Sequence, residues 1–442
     1  MRLLFSLLAL ILLASCAESD LPNPTGKGTI RAINAIKASP EVAFRIEERV
    51  IDALKYKVVS ASPRFDDFEY PFNFDARLAG KLEPQRIASK VQKIDADGDY
   101  TFVLTGAIAT PDVTVWQYDK RVFADTDSVT QARFANLAAS QNSIDFYFAA
   151  PGVSPTAGAA IGTITYGDVL PPQDFPAGSY VITITPPGDP ATILYQSTSI
   201  AYAPRTANII PVFDGNEQDL APYNVRVFPE QGGVSNLPDV RYAPTIRFIQ
   251  TSIDLPPADI YDDEALTSLV LTEHKFADVS GDITTGTGDT TYRYTPTGNP
   301  GAILFEQEFE PTVGAHKQLI VMGSGSERTA LIYQPDREST STLAKLRVFQ
   351  GSSNHDILDV YFVAAGIPIT EEVPRLSLPY KILSEVFTMP AGDYDMYVTP
   401  RQDKTIVAGP VSIDLALGDT IEILLLDTVD PATAAISVVP PL

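Results

Sequence analysis

Four short stretches decide the fold: Ile30-Arg31-Ala32-Ile33-Asn34, Ala132-Arg133-Phe134-Ala135-Asn136, Ile246-Arg247-Phe248-Ile249-Gln250 and Leu346-Arg347-Val348-Phe349-Gln350. Each sets an arginine among apolar residues and closes on a side-chain amide, and the arginines step by 102, 114 and 100 residues. A self-similar period of this length marks tandem copies of one unit. Twelve residues after each arginine lies the centre of a second stretch: Val42-Ala43-Phe44-Arg45, Ile144-Asp145-Phe146-Tyr147, Ala258-Asp259-Ile260-Tyr261 and Leu358-Asp359-Val360-Tyr361. Apolar residues at every second position predict strands with one face toward a core.

Further landmarks recur downstream. Pro176-Ala177-Gly178-Ser179-Tyr180 leads to Thr185-Pro186, Pro390-Ala391-Gly392-Asp393-Tyr394 leads to Thr399-Pro400, and Gly288 precedes Thr295-Pro296 at the same distance. A late strand is expected over Asp99 to Leu104, Asn208 to Phe213, Gln318 to Met322 and Thr420 to Leu426. The chain holds 36 prolines among 442 residues, a proportion above the ordinary ~5%, and they punctuate short apolar runs. The expected architecture is all-β: four tandem antiparallel β-sandwiches, immunoglobulin-like, spanning 28–123 (the most diverged), 130–231, 240–335 and 343–442. Polar stretches over 124–129, 232–239 and 336–342 serve as boundaries, and the units are expected to form an elongated rod.

The arginine strand, the Asp-x-Tyr strand and the Pro-Ala-Gly-x-Tyr turn together resemble the bacterial domain of unknown function family 4397. That resemblance covers nearly all of the mature chain, best in the second and fourth units, weaker in the third and weakest in the first. It implies an exported or lipid-anchored protein and carries no established activity.

The chain start gives an address. Arg2 precedes an apolar run from Leu3 to Leu13, closing on Leu13-Ala14-Ser15-Cys16. Such a run fits a signal peptide over 1–15 and is shorter than the roughly 20 residues of a membrane-spanning helix. Leu-Ala-Ser-Cys resembles the bacterial lipobox, which implies cleavage before Cys16, acylation of that cysteine, and a membrane partner held through lipid. Ala17 in place of an aspartate favours the outer membrane, on its periplasmic or its external face. Residues 16–27 read as the acylated cysteine and a flexible tether.

Cleavage after residue 15 removes one base, Arg2, leaving 31 basic and 55 acidic side chains and a net charge of −24. A body so acidic repels nucleic acid. Cys16 is the single cysteine, so stability rests on cores without disulfides.

The recurring polar residues form a candidate interaction face: Arg133, Asp145 and Tyr147; Arg247, Asp259 and Tyr261; Arg347, Asp359 and Tyr361. If the two strands are neighbours, the arginine and aspartate meet across them at the surface, a contact worth about 0.2–1 kcal/mol. In the first unit Ala43 and Arg45 replace the Asp and Tyr, so Arg31 is expected to be solvated or to find another carboxylate, Asp66 or Asp67. Asp95-Ala96-Asp97-Gly98-Asp99 resembles the start of a calcium loop without its later ligands. A polar turn is the preferred reading there, and no other cofactor is expected. His274, His316 and His355 share no metal-ligand spacing and are expected in loops or at strand edges. Gly323-Ser324-Gly325-Ser326 departs from a nucleophile elbow in its last residue. These observations point to a non-catalytic envelope protein that spaces or presents an interaction surface for a protein or glycan. The alternatives are a glycan or small-ligand module, using Tyr147, Tyr180, Tyr361, Tyr394 and Trp116, and a carboxylate-pair hydrolase.

Overall fold

The computed structural model describes residues 23–81, 83–217 and 219–439. The signal peptide, Cys16 and the start of the tether lie outside the described residues. Across the described residues the chain is all-β and builds eight sheets of four or five strands, two to a unit, packed as four sandwiches.

Each unit repeats one topology. The opening strands, Lys27–Asn34, Val129–Leu137, Thr245–Gln250 and Ala344–Gln350, lie at the centre of a first sheet. Each pairs in parallel with the late strand of its unit, Gly98–Ala107, Ala207–Asp214, His316–Met322 or Thr420–Asp427. The late strand then turns back into a closing strand, Thr110–Asp119, Tyr223–Pro229, Thr329–Tyr333 or Ala434–Val439. The Asp-x-Tyr stretches, Ser143–Ala149, Ala258–Tyr261 and Ile357–Ala364, with Val42–Ile46 in the first unit, sit at the centre of the second sheet.

Inward residues of both sheets make one core per unit, such as Ile30, Ala32, Phe44, Phe72, Phe74 and Phe102 in the first. The outer face of the first sheet is apolar as well. Gly28 to Asn34 is buried at every position, the mark of a strand covered on both sides. The cover is the neighbouring unit. Ile33, Val103 and Trp116 of the first unit pack against Ala135, Leu137, Ile209, Phe213 and Phe228 of the second. The third and fourth units repeat this seam with Ile249, Ile320 and Met322 against Phe349, Leu424, Leu426 and Val439. The units are therefore joined in pairs, first sheet to first sheet, and the expected rod does not describe these junctions.

Two boundaries also shift in the structure. Ser235–Leu237 adds a fifth strand to the first sheet of the second unit, and Leu237 enters its core, beyond residue 231. The stretch 336–342 is packed in rather than solvated: Thr340 and Thr342 are buried, and Ser341 N–H donates to the Ala38 carbonyl at 2.7 Å.

Phe213 fills the seam of the first pair and neither core of that pair. Phe213→Ala is expected to cost about 3–5 kcal/mol, the usual penalty for emptying a buried aromatic site. Denaturant unfolding of the full chain reads this loss, while the second unit keeps its far-ultraviolet strand signal.

Candidate functional sites at the paired sheets

Alternation sends each recurring arginine out of the core, but the outward side is the seam. Arg31, Arg133 and Arg247 are about as buried as core residues, and Arg347 is half-buried. In the first pair Arg31 and Arg133 converge on one carboxylate, Asp99. Arg31 donates to it at 2.8 Å and Arg133 donates to the same oxygen, while Arg31 Nε donates to Thr101 Oγ1 at 3.1 Å. Burial pushes the Asp99 carboxyl up, and the two guanidiniums overcome this and hold it below its ordinary 3.8. Burial lowers the Arg31 pKa, against the pull of Asp99. Tyr118 lies against Arg133 with the guanidinium 5.0 Å from the ring centre, and Trp116 Nε1 donates to the Gly167 carbonyl of the second unit at 3.2 Å.

The second pair builds its polar cluster from the other side. Residue 316 stands where Asp99 stands in the first unit, since Thr245 pairs with His316 as Thr29 pairs with Asp99. The carboxylate comes instead from Glu422 of the fourth unit, which accepts from the Tyr333 hydroxyl of the third. Burial raises the Glu422 pKa against the opposing effects of Tyr333, Arg347 and Arg247. Arg347 lies with its guanidinium 5.1 Å from the centre of the Tyr333 ring and donates from Nε to the Ser384 carbonyl at 2.9 Å.

The expected arginine-to-aspartate pair across neighbouring strands does not form. The two residues lie in opposite sheets of each sandwich and point away from each other, so the whole sandwich stands between them. Asp145, Asp259 and Asp359 instead hold the turn that follows the Thr-Pro landmark. Asp145 accepts from Gly188 N at 2.7 Å, Asp259 from Gly298 N at 2.9 Å and Asp359 from Gln402 N at 2.9 Å. All three donors have positive φ, near 72°, 73° and 62°. A hydroxyl on the adjacent strand adds a bond in each case, from Thr163, Thr272 and Ser377. Tyr147, Tyr261 and Tyr361 are buried beside these turns.

Other sequence expectations change for equally local reasons. Arg31 finds Asp99, not Asp66 or Asp67, which bind Lys27 and Thr25. The calcium-loop reading fails on the same residue, because Asp99 is spent on the two arginines. Asp95 pairs with Lys93 at 3.1 Å and Asp97 with Arg64 at 3.4 Å, so the three carboxylates do not converge. His274 and His316 are buried rather than at polar edges. Burial lowers His274 to about 4, and burial with Arg337 and Arg247 lowers His316 to about 3. Trp116 is consumed in the seam, and the hydroxyls of Tyr180 and Tyr394 donate to the carbonyls of Pro176 and Pro390 at the head of their own turns. Those contacts explain the Pro-Ala-Gly-x-Tyr motif as a turn lock.

Two open clefts remain near recurring residues. One, of about 450 Å³, lies at the seam of the third and fourth units, lined by Arg247, Arg337, Lys345, Arg347, Glu422 and Val439 among others. Another, of about 420 Å³, lies on the second sheet of the fourth unit, where Lys404 Nζ sits 4.5 Å from the centre of the Tyr361 ring. Sequence reading missed Asp99 as the partner of two arginines and Glu422 as the buried carboxylate of the second seam. Their signal is the late strand, in which a lone carboxylate at an outward position faces an arginine strand in parallel register.

No protein-family model matches the chain, and no curated protein matches it. Among solved structures, the Bacillus anthracis TIE protein aligns at 11% identity over 92% of this chain and 69% of its own, with a TM-score of 0.16. The pilus adhesin SpaC from Lactobacillus rhamnosus GG aligns at 10% identity over 93% of this chain, with a TM-score of 0.11. The chain spans 42% of the length of that adhesin. Both TM-scores are too low to carry any inference about this protein.

Asp99→Ala leaves two buried guanidiniums without their carboxylate and is expected to cost about 3–5 kcal/mol. The wild-type advantage over this variant should be full above the unfolded pKa of an aspartate, near 4, and should close as pH falls through the lower folded value. Thermal unfolding of both chains between pH 7 and pH 3 measures it.

Proposed function

We propose that the chain is a lipid-anchored, non-catalytic protein of the bacterial cell envelope, related to domain of unknown function family 4397, that presents a braced β-sandwich body to a partner in adhesion or scaffolding. The observation that carries this reading is the use of the recurring polar residues. Arg31 and Arg133 brace a seam, and Asp145, Asp259 and Asp359 each hold a turn, which supports a structural role for the recurring residues. The Leu-Ala-Ser-Cys stretch supplies the anchor and the Pro-rich segment after it the spacer. Eleven extended residues reach at most about 40 Å, enough to stand clear of headgroups. Paired seams suit such a role because a braced body holds a contact surface at a defined height.

For a glycan-binding reading the place to test among the described residues is the cleft lined by Tyr361, Arg401 and Lys404 in the fourth unit, where the buried Tyr361 ring is capped by Lys404. The other aromatics named for it are tied into seams and turns.

The test is expression of the full chain in a bacterial host, followed by detergent-phase partitioning and protease treatment of intact cells. Wild type is expected in the detergent phase and Cys16→Ser in the aqueous phase. Equal partitioning of the two contradicts the anchor. Digestion of a C-terminal tag on intact cells, with a periplasmic marker preserved, assigns the outer face; protection assigns the periplasmic face.

A further inference from the structure

One lysine of the first unit reaches into the second. Lys57 sits in the turn between the strands Arg49–Leu54 and Val58–Val59, with φ near 63° and its N–H donating to the Asn34 carbonyl at 2.9 Å. Left-handed backbone is uncommon outside glycine, and lysine is almost never fully buried unless paired. Here the residue is 3% exposed. The seam fixes this turn through its neighbour Tyr56, whose hydroxyl donates to the Asp214 carbonyl of the second unit at 2.9 Å. The Tyr56 ring stands edge-on to Phe213, with 5.9 Å between ring centres, inside the apolar seam.

The lysine side chain meets a carboxylate and an amide of one short loop. Lys57 Nζ donates to Asp219 Oδ2 and, at 3.2 Å, to Asn216 Oδ1, across 159 residues of chain. Asn216 is buried as well. The Asp219 carboxylate accepts from Asn216 N at 3.0 Å and from Asn224 Nδ2 at 2.9 Å, and Asp219 N donates back to the Asn216 carbonyl at 3.0 Å. The loop therefore holds amide and carboxylate as one fixed pair facing the amine. Burial lowers the Lys57 pKa against the pull of Asp219, and a desolvated amine is a nucleophile. The amide carbon lies one C=O length, about 1.2 Å, from the oxygen that the amine already touches. Groups held in contact this way can reach effective concentrations of about 10⁵–10⁸ M, which a stable amide needs before an amine displaces its nitrogen.

We propose that Lys57 and Asn216 are joined by an isopeptide bond that the chain forms by itself, with Asp219 as the catalytic residue, stapling the first unit to the second. Nζ bonds to the Asn216 side-chain carbon, the bond from that carbon to Nδ2 breaks, and the freed nitrogen leaves. Asp219 takes in turn the two protons that Nζ sheds and passes them to the departing nitrogen. A lysine ammonium and a primary amide become a secondary amide and an ammonium ion, with no oxidant, reductant or cofactor consumed. The staple lies at the Asn34 end of the opening strand, where Asn34 pairs with Val58, and acts there as a pivot. The angle of sheet on sheet is still set toward the other end, where Thr29 pairs with Asp99. This inference goes beyond the envelope role and does not depend on it.

Tryptic digestion of the denatured full chain, read by tandem mass spectrometry, tests the bond. Trypsin does not cut after an acylated lysine, so wild type is expected to yield peptides 56–64 and 206–226 as one linked species, lighter than their sum by one ammonia. The denatured chain, closed across 159 residues, is also expected to run faster in a denaturing gel than Asn216→Ala. Asn216→Ala and Asp219→Ala are each expected to be cut after Lys57 and to release the two peptides separately. Complete cleavage after Lys57 in wild type, a linked pair that persists in Asn216→Ala, or loss of one water with the bond on Asp219 would each overturn the proposal. The wild-type digest is decisive by itself, so a variant that fails to fold leaves its result standing.

Discussion

The shared carboxylate of Asp99 is the contact on which the first pair depends. Two guanidiniums taken out of water and set beside each other repel, and each carries a desolvation cost of several kcal/mol. One carboxylate between them, itself held ionised by both, turns that cost into a fixed register of one sheet on the other. The apolar seam around it supplies the bulk of the attraction, since area removed from water is non-directional. The ionic contact supplies direction: a slip of one sheet across the other would leave a buried charge alone.

From that constraint the rest of the unit follows. Because the arginine strand is covered on both faces, it must lie at the centre of its sheet, flanked by the late strand in parallel. The parallel pairing needs a long crossover, and the second sheet is that crossover. Its own outward carboxylate cannot reach the seam, so it is free to hold the turn after the Thr-Pro landmark. The division of labour between Arg and Asp is thus set by topology. The first unit shows the converse: with Ala43 in place of the aspartate, Asp75 takes up Arg86 and Arg45 on the second sheet.

Much of this was legible in the sequence, and the rest was hidden for definite reasons. The constant twelve-residue step from Arg133 to Asp145, Arg247 to Asp259 and Arg347 to Asp359 located both central strands, and the late strands fell where hydropathy placed them. Period-two alternation says that a side chain points away from the core; it does not say whether water or another protein surface waits there. The missed clue was in the polar phase itself. Ile33, Ala35, Ile249 and Phe349 are apolar at positions that alternation assigns outward, and an apolar outward phase marks a strand covered twice. Which sheet a strand joins is likewise invisible to a local pattern, so Arg133 and Asp145 looked like partners when they stand on opposite sides of a sandwich. Asp99 looked like one of three loop carboxylates because its partner lies 34 residues on, in another unit.

The first and second units are locked sheet to sheet by the buried Arg31–Asp99–Arg133 contact. Spin labels at Lys90→Cys in the first unit and Ala201→Cys in the second, both at exposed strand positions, in a Cys16→Ser chain, measure it through pulsed dipolar distances. A single narrow distance distribution that broadens when Asp99→Ala is added is the predicted result. A broad distribution in the chain that retains Asp99 would contradict it, since units joined only by a flexible boundary sample many separations.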